Sequence, residues 1–124
     1  MANYLIIGVG GFLGAVARYI VALWIGQRWG RTFPLGTFIV NISGCFLISF
    51  LMSLFTEKFM VNPQLRLFLV VGFLGAYTTF STFEYETGNL MRDGEWSIAL
   101  ANVLLSVLMG FTALKAGEYI AKSI

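Results

Sequence analysis

Four long apolar stretches decide what this chain can fold into. Residues 4–25 hold a single charge, Arg18, and residues 35–56, 67–83 and 96–114 hold none. A helix needs about 20 such residues to cross the hydrocarbon core of a bilayer. In lipid every backbone N–H and C=O must be satisfied within the protein, so runs of this length are read as spanning helices. The expected fold is therefore an all-α membrane protein. Its four transmembrane helices fall at about residues 3–25, 34–56, 63–91 and 95–121, in one domain over residues 1–124. Composition agrees: 58% of residues are hydrophobic and 11% charged, against about a quarter charged in soluble domains. The first stretch is expected to stay as a span rather than be cleaved as a signal peptide. It lacks a basic leading region, is too long, and contains an arginine.

Little chain is left for anything else. The loops lie near residues 26–34, 57–66 and 90–95, too short for a soluble domain. Cys45 is the one cysteine and falls mid-helix, where a small packing role is expected and no disulfide framework exists. The eight Lys and Arg residues are scattered, which argues against nucleic-acid binding. Enzymatic chemistry is not expected. There is no histidine and no ligand set for a metal, and Glu84 and Glu86 diverge on a helix at i,i+2 spacing.

The loop charges carry a second message. Four spans put both termini on one side, with Lys58, Arg66, Lys115 and Lys122. The other side has Arg28, Arg31 and Arg92, and Arg18 lies within the membrane toward it. Orientation follows the bias in Lys and Arg, and here the two sides nearly balance. Insertion in both orientations is expected, and opposite orientations can then pair as an antiparallel homodimer.

Helix boundaries follow ordinary signals. Pro34 and Pro63 fall at first turns, Asn62 precedes Pro63 as an N-cap, and "RDGE" at 92–95 turns the chain between the third and fourth helices. Trp24, Trp29 and Trp96 mark membrane interfaces. The third helix is too long: residues 63–91 span roughly 43 Å at the helical rise, against a hydrocarbon core of about 30 Å. A break near its middle is expected, at Gly72 and Gly75 or just after. Broken backbone at that depth survives only where protein or a wet cavity satisfies it.

Polar residues inside the spans suggest an ion path. In "GVGGFLGAVARY", Gly10 and Gly14 form a close-packing pair, and Arg18 follows on the same face, snorkelling, attracting an anion or positioning a helix. In "GTFIVNISGCFL", Thr37 and Asn41 share a face, and Asn offers N–H donors that suit an anion or a neighbouring helix. The fourth helix has a stripe of Ala99, Asn102, Ser106, Gly110 and Ala113, read equally as close packing or as a polar lining. The third helix holds Thr78, Thr79, Ser81 and Thr82, interleaved with Phe80 and Phe83. Hydroxyls can donate to an anion, positive ring edges can touch one, and broken backbone can hand carbonyls to a cation.

Together, "GGFLGAVARY", "GTFIVNISGCF" and "GFLGAYTTFSTFEYE" closely resemble the Fluc, or CrcB, family of fluoride channels over essentially the whole chain. The resemblance implies an antiparallel dual-topology homodimer in the inner membrane, with two fluoride pores that export F⁻ passively. By it, Phe80 and Phe83 would touch fluoride with ring edges and Asn41 would donate its amide. Ser81 and Thr82 would supply hydroxyls, Ser106 would belong to a polar track on the fourth helix, and Thr37 would also line the path. Arg18 and Glu86 would sit at the vestibules. The carbonyls of Gly75 and Thr78 from both subunits would hold a structural Na⁺ on the two-fold axis. Asn102 departs from the pattern, standing where the family often has an aromatic hydroxyl.

A small proton-coupled multidrug transporter is the alternative, since it shares the size, the four spans and the even charge balance. Such a transporter needs a titratable carboxylate at membrane depth, typically in its first helix. Here that helix has none, and only Glu84 or Glu86 could serve.

Overall fold

The spans form where their local composition places them. The computed structural model describes residues 1–30, 32–58 and 60–124; the loop charge Arg31 lies outside these. Helix α1 runs Ala2–Trp29, and α2 runs Leu35–Lys58, its last turn widened to π geometry from Leu54. The third span is divided. Its first half, α3, covers residues 63–77, with Pro63–Arg66 and Gly75–Tyr77 α-helical and Leu67–Leu74 π-helical. Its second half, α4, is Ser81–Arg92. Helix α5 is Trp96–Ser123. The four spans are each long and apolar enough to cross a membrane.

The helix ends explain themselves. Asn62 accepts the Leu65 N–H at 2.7 Å, with Pro63 in the first turn, where its missing N–H is no loss. Between α4 and α5 the chain turns through Gly94, whose φ of 79° favours glycine. Helix α1 runs four residues past the expected residue 25. Its extra turn carries Arg28, whose guanidinium lies 4.8 Å from the Trp24 ring centroid, while Trp24 and Trp29 meet edge to face. Such amphipathic ends suit the headgroup layer. At the opposite end of the bundle, Lys122 bridges Glu57 of α2 at 3.8 Å and Glu118 at 3.6 Å, tying the ends of α2 and α5 together.

Lipid does not push helices together as water does, so close backbone approach and polar pairing must. Gly10 and Gly14 of α1 are buried against α3. A Cβ at Gly14 would collide with the Phe73 carbonyl, and one at Gly72 would lie 2.8 Å from the Ile7 oxygen. Helices α2 and α5 meet the same way. Gly110 faces the Cys45 sulfur, and Gly117 faces Ser49 and the Phe46 carbonyl. The tightest apolar knot is Val40, Leu74 and Tyr77, ringed by Ala17, Val21 and Phe73. Inside it Ser43 Oγ donates to the Val40 carbonyl at 3.0 Å, so the Tyr77 hydroxyl, 2.9 Å away, donates to Ser43.

The break falls just after the glycines rather than at them. Gly72 and Gly75 stay helical, and the chain opens at residues 78–80, with Thr78 extended at φ −85°, ψ 155°. The glycines serve close packing: Gly72 abuts Gly10 and Gly11. What opens the helix is competition for its hydrogen bonds from hydroxyls and an amide, described next.

Candidate functional site

The break is held by side chains that replace the lost helical partners. Asn41 of α2 donates through Nδ2 to the Thr79 carbonyl at 3.0 Å and accepts the Thr79 N–H on Oδ1 at 2.9 Å. One amide thereby satisfies both backbone groups of the residue at the centre of the break. Thr79 Oγ1 accepts the Thr82 N–H at 3.2 Å, a capping contact that starts α4. Arg18 reaches from α1 and donates through Nε to the Ala76 carbonyl at 3.0 Å. Of the sequence readings for this arginine, this contact is the one a helix-positioning charge makes.

These substitutions leave particular carbonyls without their helical donors. In an α-helix the Gly75 oxygen would take the Thr79 N–H and the Thr78 oxygen the Thr82 N–H. Both donors are turned elsewhere, to Asn41 and to Thr79 Oγ1. Gly75 is exposed.

Beside the break lies a cavity of about 410 Å³. Its wall brings together Asn41, Gly75, Thr78, Phe80, Phe83 and Ser106 from three of the four spans. The Phe80 and Phe83 centroids are 6.0 Å apart with planes tilted 45°. Phe80 is 74% exposed, whereas Phe83 is buried. No charged side chain lines this wall among the described residues. Asn41 spends one amide hydrogen on Thr79 and keeps a second, so its expected role as an ion donor falls to that remaining N–H.

The other candidates lie elsewhere. Ser81 and Thr82 are in the first turn of α4 and do not line the cavity; Ser81 Oγ is 3.5 Å from Thr79 Oγ1. Thr37 and Glu86 line a second, smaller cavity of about 190 Å³, shared with Gly30, Phe33 and Pro34. There Thr37 Oγ1 donates to Glu86 Oε2 at 3.0 Å, while Glu86 Oε1 is buried without a partner among the described residues. Arg18 lines neither cavity. On α5 the small-residue stripe divides between packing and the wall. Ala99, Asn102 and Gly110 are buried, and Ser106 faces the large cavity.

Sequence reasoning did not single out two residues here. Tyr77 ties the knot beneath the break through Ser43. Thr87 accepts the Asn102 amide at 2.9 Å. Thr87 could have been suspected, because it lies four residues after Phe83 on one helical face. No local signal marks Tyr77.

Residues 5–118 match the family described as CrcB-like protein, Camphor Resistance (CrcB). A relative from Solibacter usitatus, named a fluoride-specific ion channel FluC, is 50% identical over 97% of this chain and 98% of its own. One of the same name from Geotalea uraniireducens is 47% identical over the full length of both. Another, from Sulfurihydrogenibium, is 43% identical over 98% of each.

Proposed function

The chain belongs to the CrcB family, and from that premise we propose that it is a passive, fluoride-selective channel that lets F⁻ leave the cytoplasm down its electrochemical gradient. It is a multi-pass membrane protein, and in a bacterium its place is the inner membrane. The observation that carries the reading is the cavity at the break, where two phenylalanine rings, an amide and hydroxyls converge with no charge on the wall among the described residues. Fluoride is small and strongly hydrated, so moving it means replacing water with close donors. Positive ring edges and N–H and O–H groups can do so without binding so tightly that the ion is trapped.

Two subunits in opposite orientations complete the proposal. The near balance of Lys and Arg across the membrane allows both to insert. The large exposed ring of Phe80 at mid-span gives them a surface to share. Such a dimer carries two pores, with Ser106 at the cavity wall and Thr37, Ser81, Thr82, Arg18 and Glu86 belonging to the approaches outside it. At its two-fold axis the freed carbonyls of Gly75 and Thr78 from each subunit suit a Na⁺, a hard cation that prefers oxygen ligands. Bound there, the ion supplies the positive partner that broken backbone lacks.

Purified protein in liposomes loaded with potassium fluoride tests the function. Electrogenic fluoride efflux without chloride efflux is expected. No fluoride efflux, or equal chloride efflux, would sink the reading. The same vesicles separate it from the multidrug transporter: Glu84→Gln and Glu86→Gln should keep measurable passive fluoride flux, whereas proton-coupled transport through those carboxylates would vanish. Neither glutamate lines the 410 Å³ cavity.

A further inference from the structure

Behind the cavity wall runs a buried chain of hydrogen bonds with a single possible direction. Thr87 Oγ1 donates to the Phe83 carbonyl at 2.8 Å. That spends its one hydrogen, so toward Asn102 it can only accept. Asn102 therefore turns its Nδ2 to Thr87, at 2.9 Å, and presents Oδ1 on the other side, where Ser106 Oγ donates at 3.4 Å. The chain starts at Ser106 and ends at Phe83, and both residues line the cavity. Its middle is sealed: Asn102 is 1% exposed and Thr87 4%.

We propose that Asn102 and Thr87 are positioning residues of the ion path, setting the placement of Phe83 and the orientation of the Ser106 hydroxyl from α5. The inference rests on the channel reading above. Among the described residues one other side-chain hydrogen bond holds α4 at this level, Thr37 to Glu86, and it ties α4 to α2 rather than to α5. Asn41 and the Thr79 cap act at its first turn, whereas Thr87 lies in the next turn beyond Phe83. Away from water, removing the Thr87 hydroxyl leaves the Asn102 amide without its acceptor, and removing Asn102 leaves the Ser106 hydroxyl without its own. The relief available is a shift of α4 against α5, which carries Phe83 with it. Ser106, released from Asn102 Oδ1, would rotate freely.

A structural role alone would lower the amount of assembled protein without changing what each channel passes. The test therefore reads unitary fluoride current, in planar bilayers with the full-length reconstituted protein. Thr87→Val keeps the shape of the side chain and removes the hydroxyl; Thr87→Ser keeps the hydroxyl. We expect Thr87→Val and Asn102→Ala each to lower unitary current about tenfold, the scale of one buried hydrogen bond lost. The double variant should be no worse than either, and Thr87→Ser should stay within about twofold of wild type. Unitary currents near wild type in Thr87→Val or Asn102→Ala would overturn the proposal, as would a loss in Thr87→Ser equal to that in Thr87→Val. Either of the two disrupting variants decides it if the other does not assemble. Absence of wild-type current would instead count against the channel reading itself.

Discussion

Phe80 and Phe83 sit one helical turn apart, yet they differ in surroundings. Phe83 packs within the subunit, while Phe80 projects from it. Replacing either by isoleucine keeps most of the bulk and removes the positive ring edge. If ring edges hold the ion, each of Phe80→Ile and Phe83→Ile should lower fluoride efflux roughly tenfold, measured in the liposome assay, from the loss of aromatic contact energy in the transit path. Full flux in both would show that the edges do not matter. The two should also part in stability. Phe83→Ile disturbs packing within the subunit, by about 1 kcal/mol, while Phe80→Ile should leave the isolated subunit unchanged. Asn41 is a caution at the same scale: its amide looked free for an ion in the sequence, and half its hydrogen-bonding capacity is committed to the backbone of Thr79.

At the scale of elements, the third span works because its neighbours repair it. Helix α1 supplies Arg18 and a glycine groove, and α2 supplies Asn41. The groove gives a sharp contrast. A Cβ at Gly14 would meet the backbone carbonyl carbon of Phe73 at 2.9 Å, and backbone cannot move aside as a side chain can. A Cβ at Gly8, on the same helix, would meet nothing within 4 Å. Gly14→Ala should therefore destabilise the fold by about 1–3 kcal/mol, the usual range for overpacking, while Gly8→Ala should be neutral. Thermal unfolding in detergent would read this directly, and equal effects from the two variants would contradict the tight α1–α3 seam.

At the scale of the whole molecule, the proposal demands two orientations in one membrane. A cysteine placed at Asp93, in the turn between α4 and α5, with Cys45 replaced, should be labelled by an impermeant thiol reagent from both faces in comparable amounts. Labelling from one face alone would rule out dual topology. Counting Lys and Arg is the relevant measure, because acidic partners such as Glu57 and Glu118, which pair with Lys122, contribute little to orientation.

The spans, their order and the need for a break in the third were legible in the sequence, since each follows from local composition set against a fixed bilayer thickness. The Asn62–Pro63 start and the Asp-Gly turn were legible for the same local reason. Motifs such as "TTFSTF" also marked which residues gather at the cavity, and Phe80, Phe83, Asn41 and Ser106 do meet there. What only the tertiary structure decided is where each polar group finds its partner. The break falls at residues 78–80 rather than at the glycines, because Asn41, 38 positions away, competes for the Thr79 backbone. Thr37 turns to Glu86, and Asn102 turns to Thr87, rather than to the main cavity. In a membrane interior polar groups pair with whatever the fold brings within reach. That choice lies in helix placement, which no local stretch of residues encodes.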